Sequence, residues 1–222
     1  MLSAFTAGLL LITVSELGDK TFFITAILSM RYSRRWVFVG SIAALATMTV
    51  LSVLLGQVAS LLPREILHSA SVILFIGFGL KLLYEGGREW LAKRQEPQSG
   101  KKACLELTES SCAEEVREAA ELVQQAEKRL KERGKWAIVL EAFSLTFLAE
   151  WGDRTQFATI GIATTYNAVG VTIGAILGHA ICAAIAVGCG RLIAGRISQE
   201  WLTMMGGLLF IVFGVVAWFE GV

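Results

Sequence analysis

Charge is missing from long stretches of this 222-residue chain. None occurs from Leu2 to Val14 or from Thr155 to Gly190, and about half of the 20 Lys and Arg residues lie between Arg88 and Lys135. Most basic residues thus fall in loops, whereas nucleic-acid recognition needs a basic patch on a folded surface. The pattern argues against a nucleic-acid partner.

Cysteine, histidine and proline are also scarce, with four, two and two copies. The cysteines show no Cys-x-x-Cys spacing, so the sequence indicates neither a zinc site of that pattern nor a disulfide framework. No basic residues precede the first apolar run. This absence favours a first membrane-spanning helix over a cleaved signal peptide.

Apolar sequence is what the chain has in excess. Hydrophobic residues make up 55% of it, above the roughly 45–50% of soluble domains, and the mean hydropathy is +0.61. A helix needs about 20 residues to cross the ~30 Å hydrocarbon core. Six segments are long enough, so we predict an all-α polytopic membrane protein with transmembrane helices at residues 3–30, 36–62, 66–86, 136–163, 168–190 and 200–220. Turns are expected at Tyr166-Asn167, Pro63-Arg64 and Gly195-Arg196.

Two motifs place charge inside these apolar segments. They are Glu16-Leu17-Gly18-Asp19-Lys20-Thr21 and Glu150-Trp151-Gly152-Asp153-Arg154-Thr155, 134 residues apart. A charged group near the bilayer centre costs roughly 3 kcal/mol on insertion scales, so an acid at this depth is a functional hypothesis by default. The repeated pattern makes the two motifs the candidate site.

The two halves of the chain align around the motifs. Gly40 and Gly174 keep the 134-residue offset, as do Gly56 and Gly190. Three helices per half is an odd number, so the second half would enter the membrane from the opposite side, as in the inverted repeats of secondary transporters. We expect repeats at residues 1–91 and 136–222, with both motifs near mid-membrane. Gly170, Gly174 and Gly178 have the spacing of close helix packing.

Orientation follows from the Lys and Arg residues of the short loops. Those between helices 1 and 2 and between helices 5 and 6 carry five arginines, whereas the opposite side has one: Arg31, Arg34, Arg35, Arg191 and Arg196 against Arg64. The basic loops are therefore expected in the cytoplasm, together with the central linker, and both termini outside it.

The linker, residues 92–135, is polar. Ser111 and Glu114 have the spacing of a capping box, and apolar residues follow at helical intervals, at Val116, Ala119, Val123, Ala126 and Leu130. We expect an amphipathic cytoplasmic helix that joins the two repeats. A regulatory or partner-binding role for it stays open.

Four carboxylates could meet at one point. Glu16 and Asp19 lie at i, i+3 and would share one face of a helix, as would Glu150 and Asp153. Carboxylate oxygens suit hard cations such as Ca²⁺, Mg²⁺ or Mn²⁺. Hydroxyls and backbone carbonyls of the motifs could complete an oxygen shell, and Gly18 and Gly152 permit close approach or a local helix break.

Charge balance suggests a mechanism. Four ionised acids set against Lys20 and Arg154 leave a formal −2, which a divalent cation would neutralise. Without metal the crowded carboxylates repel one another and should take up protons. Metal and protons would then compete for the same oxygens, as an antiporter requires.

The charged and polar residues of the apolar segments also allow other roles. Glu16 with Lys20, and Glu150 with Arg154, could pair at i, i+4 merely to neutralise charge. His179 has an apolar counterpart, Leu45, and is expected to pack or hydrogen bond rather than to bind metal. An exporter of small organic solutes would need pocket groups that an all-carboxylate centre does not offer, and no nucleophile with its base is visible for a membrane-embedded hydrolase.

At its two motifs the chain resembles the calcium/cation antiporter family 2, whose signature is Glu-x-Gly-Asp-[Lys/Arg]-[Thr/Ser], once in each of two three-helix repeats. Both copies match, and the resemblance covers roughly residues 1–90 and 136–222. The family includes Golgi transporters of yeast and animals, chloroplast manganese transporters and bacterial manganese exporters.

The resemblance implies exchange of Mn²⁺ or Ca²⁺ for protons, with no bound cofactor and no enzymatic reaction. It implies that Glu16, Asp19, Glu150 and Asp153 bind metal and protons, and that the neighbouring motif residues shape the site: Gly18, Lys20, Thr21, Gly152, Arg154 and Thr155. The compact chain looks most like bacterial or cyanobacterial exporters, in a bacterial inner membrane or a thylakoid-type internal membrane. This similarity favours Mn²⁺ where chemistry alone leaves Mn²⁺ and Ca²⁺ open. The oligomeric state, including a homo-oligomer, stays open.

Overall fold

The computed structural model describes residues 1–95, 117–124, 134–193 and 199–220. Within these ranges every regular element is a helix, and residues 117–124 of the linker are helical too. In chain order the helices are α1 (Leu2–Glu16), α2 (Lys20–Arg31), α3 (Arg34–Ala59), α4 (Arg64–Gln95), α5 (Lys135–Ala149), α6 (Arg154–Thr165), α7 (Ala168–Ile193) and α8 (Gln199–Glu220).

Three of these helices are long and apolar enough to cross a membrane: Arg34–Ala59, Glu65–Arg88 and Ala168–Gly188. A fourth span is counted if α1 and α2, which meet at a bend of 68°, are taken together. Large apolar side chains also face outward, among them Ile73 and Leu148, each 71% exposed. An apolar outer surface of this kind needs lipid or another partner to cover it, so the chain is a multi-pass membrane protein.

The predicted helices at residues 3–30 and 136–163 are each broken at the motif, where the glycine permits a local helix break. Leu17 is extended (φ −66°, ψ 114°), Gly18 has φ +81°, and the Asp19 N–H donates to the Glu16 carbonyl at 3.3 Å. These values describe a type II β-turn, which requires a positive φ at its third residue and so favours glycine there. Gly152 has φ +84° in the equivalent turn.

The turns between helices fall largely where the sequence predicts them. Tyr166-Asn167 separates α6 from α7, and α4 begins at Arg64 directly after Pro63. The turn predicted at Gly195-Arg196 lies outside the described residues. Helix α4 runs to Gln95, beyond its predicted end at residue 86, because the residues that follow are mostly good helix formers.

Each half of the chain packs against the other through its first helix. Helix α1 lies along α7, and α5 lies along α3. At the crossings, a Cβ on Gly40 would come 2.5 Å from the Val139 carbonyl oxygen, and one on Gly174 would clash with the Phe5 carbonyl oxygen. These two contacts are related by the same 134-residue offset as the motifs.

The predicted glycine ridge of α7 lies along α1, because Gly170, Gly174 and Gly178 all face that helix. Helices α4 and α8, the last helices of the two halves, also pack against each other. Gly79 meets Ile211 and Gly214 meets Ile76, each with a would-be Cβ 2.7 Å from the isoleucine Cγ1.

Candidate metal centre

The two motif turns bring four helix ends to one place. Helix α1 ends at Glu16, and Asp19 caps the start of α2; in the second motif Glu150 caps the end of α5, and Asp153 caps the start of α6. Glu16 and Asp19 therefore lie on either side of a turn, and not on one face of a continuous helix as the i, i+3 spacing predicts. Three of the four acids nevertheless meet at one place, namely Glu16, Glu150 and Asp153.

Three of the four predicted acids form a tight cluster. Glu16, Glu150 and Asp153 each offer one carboxylate oxygen, and these oxygens all lie within 4.8 Å of one another. Glu16 and Glu150 are only 2% and 3% exposed, and Oε1 of each has no hydrogen-bond partner within the described part of the chain. A buried, unpaired carboxylate oxygen is costly unless a cation or a proton satisfies it.

Both motif threonines contact these acids. The Thr21 hydroxyl donates to Glu16 Oε2 at 3.3 Å. The N–H and hydroxyl of Thr155 both donate to Asp153 Oδ2, at 3.2 and 2.9 Å. Each threonine therefore donates a hydrogen bond to an acid of its own motif.

Asp19, the fourth predicted acid, is outside the three-oxygen cluster. Its Oδ1 accepts a hydrogen bond from Arg154 Nη2 at 3.3 Å, which is an ion pair between the two motifs. Lys20 instead pairs with Glu118 of the linker. The i, i+4 pairs considered from sequence, Glu16 with Lys20 and Glu150 with Arg154, are not the pairs observed, since the turn takes each cation away from its own glutamate.

A cavity of about 550 Å³ opens beside the cluster. Both motif aspartates and both motif cations line it, as do charged residues of α4 and the linker: Asp19, Lys20, Asp153, Arg154, Lys81, Glu85 and Glu118. The cavity reaches two of the four motif acids, Asp19 and Asp153.

On another side of the cluster is a pocket of only about 10 Å³, lined by Glu150, Thr155 and His179. A volume near 10–15 Å³ holds about one water molecule. His179 is buried, its Nδ1 has no partner within the described residues, and it is not part of the carboxylate cluster. Leu45, its counterpart in the first half, lines the same pocket.

The structure also shows polar residues that sequence reasoning missed. Ser41 accepts hydrogen bonds from Thr25 at 3.1 Å and from Thr146 at 3.4 Å, so buried hydroxyls join α2, α3 and α5. The sequence pattern that could have identified them is a polar residue within an otherwise apolar helix. No sequence pattern pointed to Glu118, because its partner Lys20 lies 98 positions away in the chain.

Chemically, the cluster offers several oxygen ligands from carboxylates and hydroxyls, with a net negative charge and little access for water. This donor set fits a hard divalent cation. The same oxygens can also bind protons, because three ionised carboxylates held close together in a low-dielectric site repel one another.

The chain is similar in sequence to one protein family and to several known proteins. Residues 4–90 and 138–222 match the family described as divalent cation/proton antiporter GDT1. A GDT1-like protein of Synechocystis sp. is 54% identical over 220 residues, 98% of each chain. GDT1-like protein 4 of Oryza sativa subsp. indica is 42% identical over 99% of this chain and 74% of its own, and the chloroplastic PAM71-homolog of Arabidopsis thaliana is 38% identical over 98% and 59%. No solved structure matches.

Proposed function

The chain belongs to the GDT1 family of divalent cation/proton antiporters, and from that membership we propose that it exports Mn²⁺ from the cytosol in exchange for protons. The family confirms the resemblance seen at the two motifs. Its members are transporters and not enzymes, and the ions they carry are substrates, so no bound cofactor is expected.

One observation supports the proposed site above all others. Three carboxylates from two motifs, 134 residues apart in the chain, place their oxygens within 4.8 Å of one another in a buried position. We assign ion binding to Glu16, Glu150 and Asp153, with Asp19 as the fourth acid, held by Arg154 until the cation arrives. Thr21 and Thr155 would supply hydroxyl oxygens.

Competition for these oxygens couples the two ions. A divalent cation satisfies the unpartnered oxygens of Glu16 and Glu150 when the acids are ionised. Protons satisfy them when the metal has left. Protonation from the outer side therefore favours metal release there, and loss of those protons to the cytosol restores the site for another Mn²⁺.

The proposed architecture is six transmembrane helices in two inverted repeats, residues 1–91 and 136–222, joined by a cytoplasmic linker at 92–135. The contacts of Gly40 with Val139 and of Gly174 with Phe5 support it, because the two contacts are formed by equivalent residues of the two halves. Two repeats of three helices each, inserted in opposite orientations, would produce this pairing. In this arrangement each bent pair, α1 with α2 and α5 with α6, counts as one span.

We place both termini on the non-cytoplasmic side, from the positive-inside distribution of arginines. The membrane would be a bacterial inner membrane or a thylakoid-type internal membrane, as befits similarity to a cyanobacterial and a chloroplastic protein. Labelling of a single linker cysteine, in a variant whose other native cysteines are replaced by serine, reports the side when right-side-out and inverted vesicles are compared. Labelling from the outside would reverse the assignment.

Calcium is the alternative substrate. An all-oxygen site suits Ca²⁺ as well as Mn²⁺, and the same residues would bind either. Membership in a divalent cation/proton antiporter family leaves little support for a small-solute exporter or a membrane-embedded hydrolase.

The test is proton-driven uptake of Mn²⁺ into proteoliposomes, with excess Ca²⁺ or Mg²⁺ as competitor. We expect flux that requires the proton gradient, resists Mg²⁺ and is lost in Glu16→Gln. Stronger inhibition by Ca²⁺ than by unlabelled Mn²⁺ would favour the calcium alternative. Absence of metal flux in the wild-type protein, folded and reconstituted, would refute the proposed function.

A further inference from the structure

The two motif cations, equivalent in sequence, have different partners. Arg154 pairs with Asp19 of the other motif, whereas Lys20 pairs with Glu118, a residue of the linker. The halves are therefore asymmetric at the site itself. What breaks the symmetry is a segment that belongs to neither repeat.

Two residues of the linker segment 117–124, the segment that carries Glu118 and Glu121, are buried in an apolar cluster. Ala119 and Val123 are both 0% exposed and belong to one apolar cluster with Phe22 and Phe23 of α2. Helix α2 begins at Lys20. The segment thus packs on the helix that carries the motif lysine, and Glu118 lies within reach of it.

Lys20 has competing partners nearby. It lines the same cavity as Asp19 and Asp153, with its side chain 33% exposed. A lysine side chain is long and flexible, with three donors on a mobile ammonium. Released from Glu118, that ammonium would be drawn to the motif carboxylates, where it would occupy oxygens that the transported cation needs.

We propose that Glu118 is a positioning residue for transport: it holds the Lys20 ammonium away from the motif acids and so keeps them accessible to a divalent cation from the cavity. This inference rests on the proposed function, since it concerns access to the same acids. It gives the linker a defined part in ion binding, beyond joining the two repeats.

The experiment compares Glu118→Gln with wild type in the proteoliposome assay, measuring KM and kcat for Mn²⁺ separately. Partly exposed ion pairs are weak, so we expect KM to rise by about two- to fivefold while kcat changes less. Glu121→Gln is the matched control, because Glu121 lies on the same segment but pairs with Arg117 at the surface. It should behave as wild type.

A Lys20→Gln background separates positioning from simple attraction of cations by the Glu118 charge. If Glu118 acts through Lys20, adding Glu118→Gln to Lys20→Gln leaves KM unchanged. If the KM increase persists in that background, or if Glu118→Gln and Glu121→Gln alike match wild type, the positioning role is wrong. Absence of flux in wild type would overturn this inference together with the proposed function, whereas wild-type flux with these other outcomes overturns the inference alone. Size-exclusion profiles of each variant show that the protein is folded.

Discussion

Replacing Gly40 by alanine tests the packing that joins the two halves of the chain. A Cβ at this position would lie 2.5 Å from the Val139 carbonyl oxygen, 2.8 Å from the Ala142 Cβ and 3.2 Å from the Phe143 nitrogen. Two of these three atoms are backbone, and so cannot move aside by rotating a side chain. Ordinary contact begins at 3.4 Å, so α3 and α5 would have to separate by about 0.9 Å.

The effect of Gly40→Ala on the free energy of unfolding combines two opposing contributions. Overpacking in a closely packed interior costs typically about 1–3 kcal/mol, while replacing glycine by alanine within a helix gains up to about 1 kcal/mol. Gly77→Ala in α4 is the matched control, since a Cβ there meets nothing within 4 Å. The helix-propensity gain is common to both variants, so the difference in their free energies of unfolding should be about 1–3 kcal/mol, with Gly40→Ala the less stable.

Denaturant unfolding of the detergent-solubilised variants, followed by tryptophan fluorescence, measures this difference. Gly174→Ala should behave like Gly40→Ala, because its Cβ would clash with the Phe5 carbonyl oxygen and lie 3.0 Å from the Leu9 nitrogen. Equal unfolding midpoints for Gly40→Ala and Gly77→Ala would refute the reasoning, since the close crossing of α3 and α5 would then not constrain the protein.

Two further predictions concern the motifs. Asp153→Asn should abolish exchange in a folded protein, because the amide oxygen can still accept the hydrogen bonds from Thr155 while the charge that the cation needs is lost; flux at the wild-type rate would remove Asp153 from the site. Gly152→Ala should lower the free energy of unfolding by roughly 1–2 kcal/mol, because a side chain at φ +84° is strained by about that amount. Gly87→Ala, with open space around its Cβ, is the control, and equal unfolding midpoints of the two variants would contradict the prediction.

The sequence was informative wherever a local pattern decides the structure. Charge-free runs and a single polar pair predict the hairpin at Tyr166-Asn167, and the repeated motifs predict that acids from two distant segments meet. The turns within the motifs were harder to foresee. Glycine permits them, but whether a helix continues through Gly18 depends on what its neighbours gain from the bend, and that is decided by tertiary contacts.

Partners of charged groups were the least predictable feature. Spacing favoured Lys20 with Glu16 and Arg154 with Glu150, as in a continuous helix. In the structure Arg154 crosses to Asp19 and Lys20 turns to Glu118. Both outcomes depend on long-range packing, and the linker pattern predicted an amphipathic helix without indicating which surface it would cover.

The packing of α1 on α7 and of α5 on α3 limits how this protein can move. A rigid rotation of residues 1–95 against residues 134–220 would pull Gly40 from Val139 and Gly174 from Phe5 in a single step. A motion that preserves both contacts must carry α1 with α7 and α3 with α5. Such a motion would not carry the two proposed repeats as rigid units, and its natural hinges would be the two motif turns, next to the acids proposed to bind the ion.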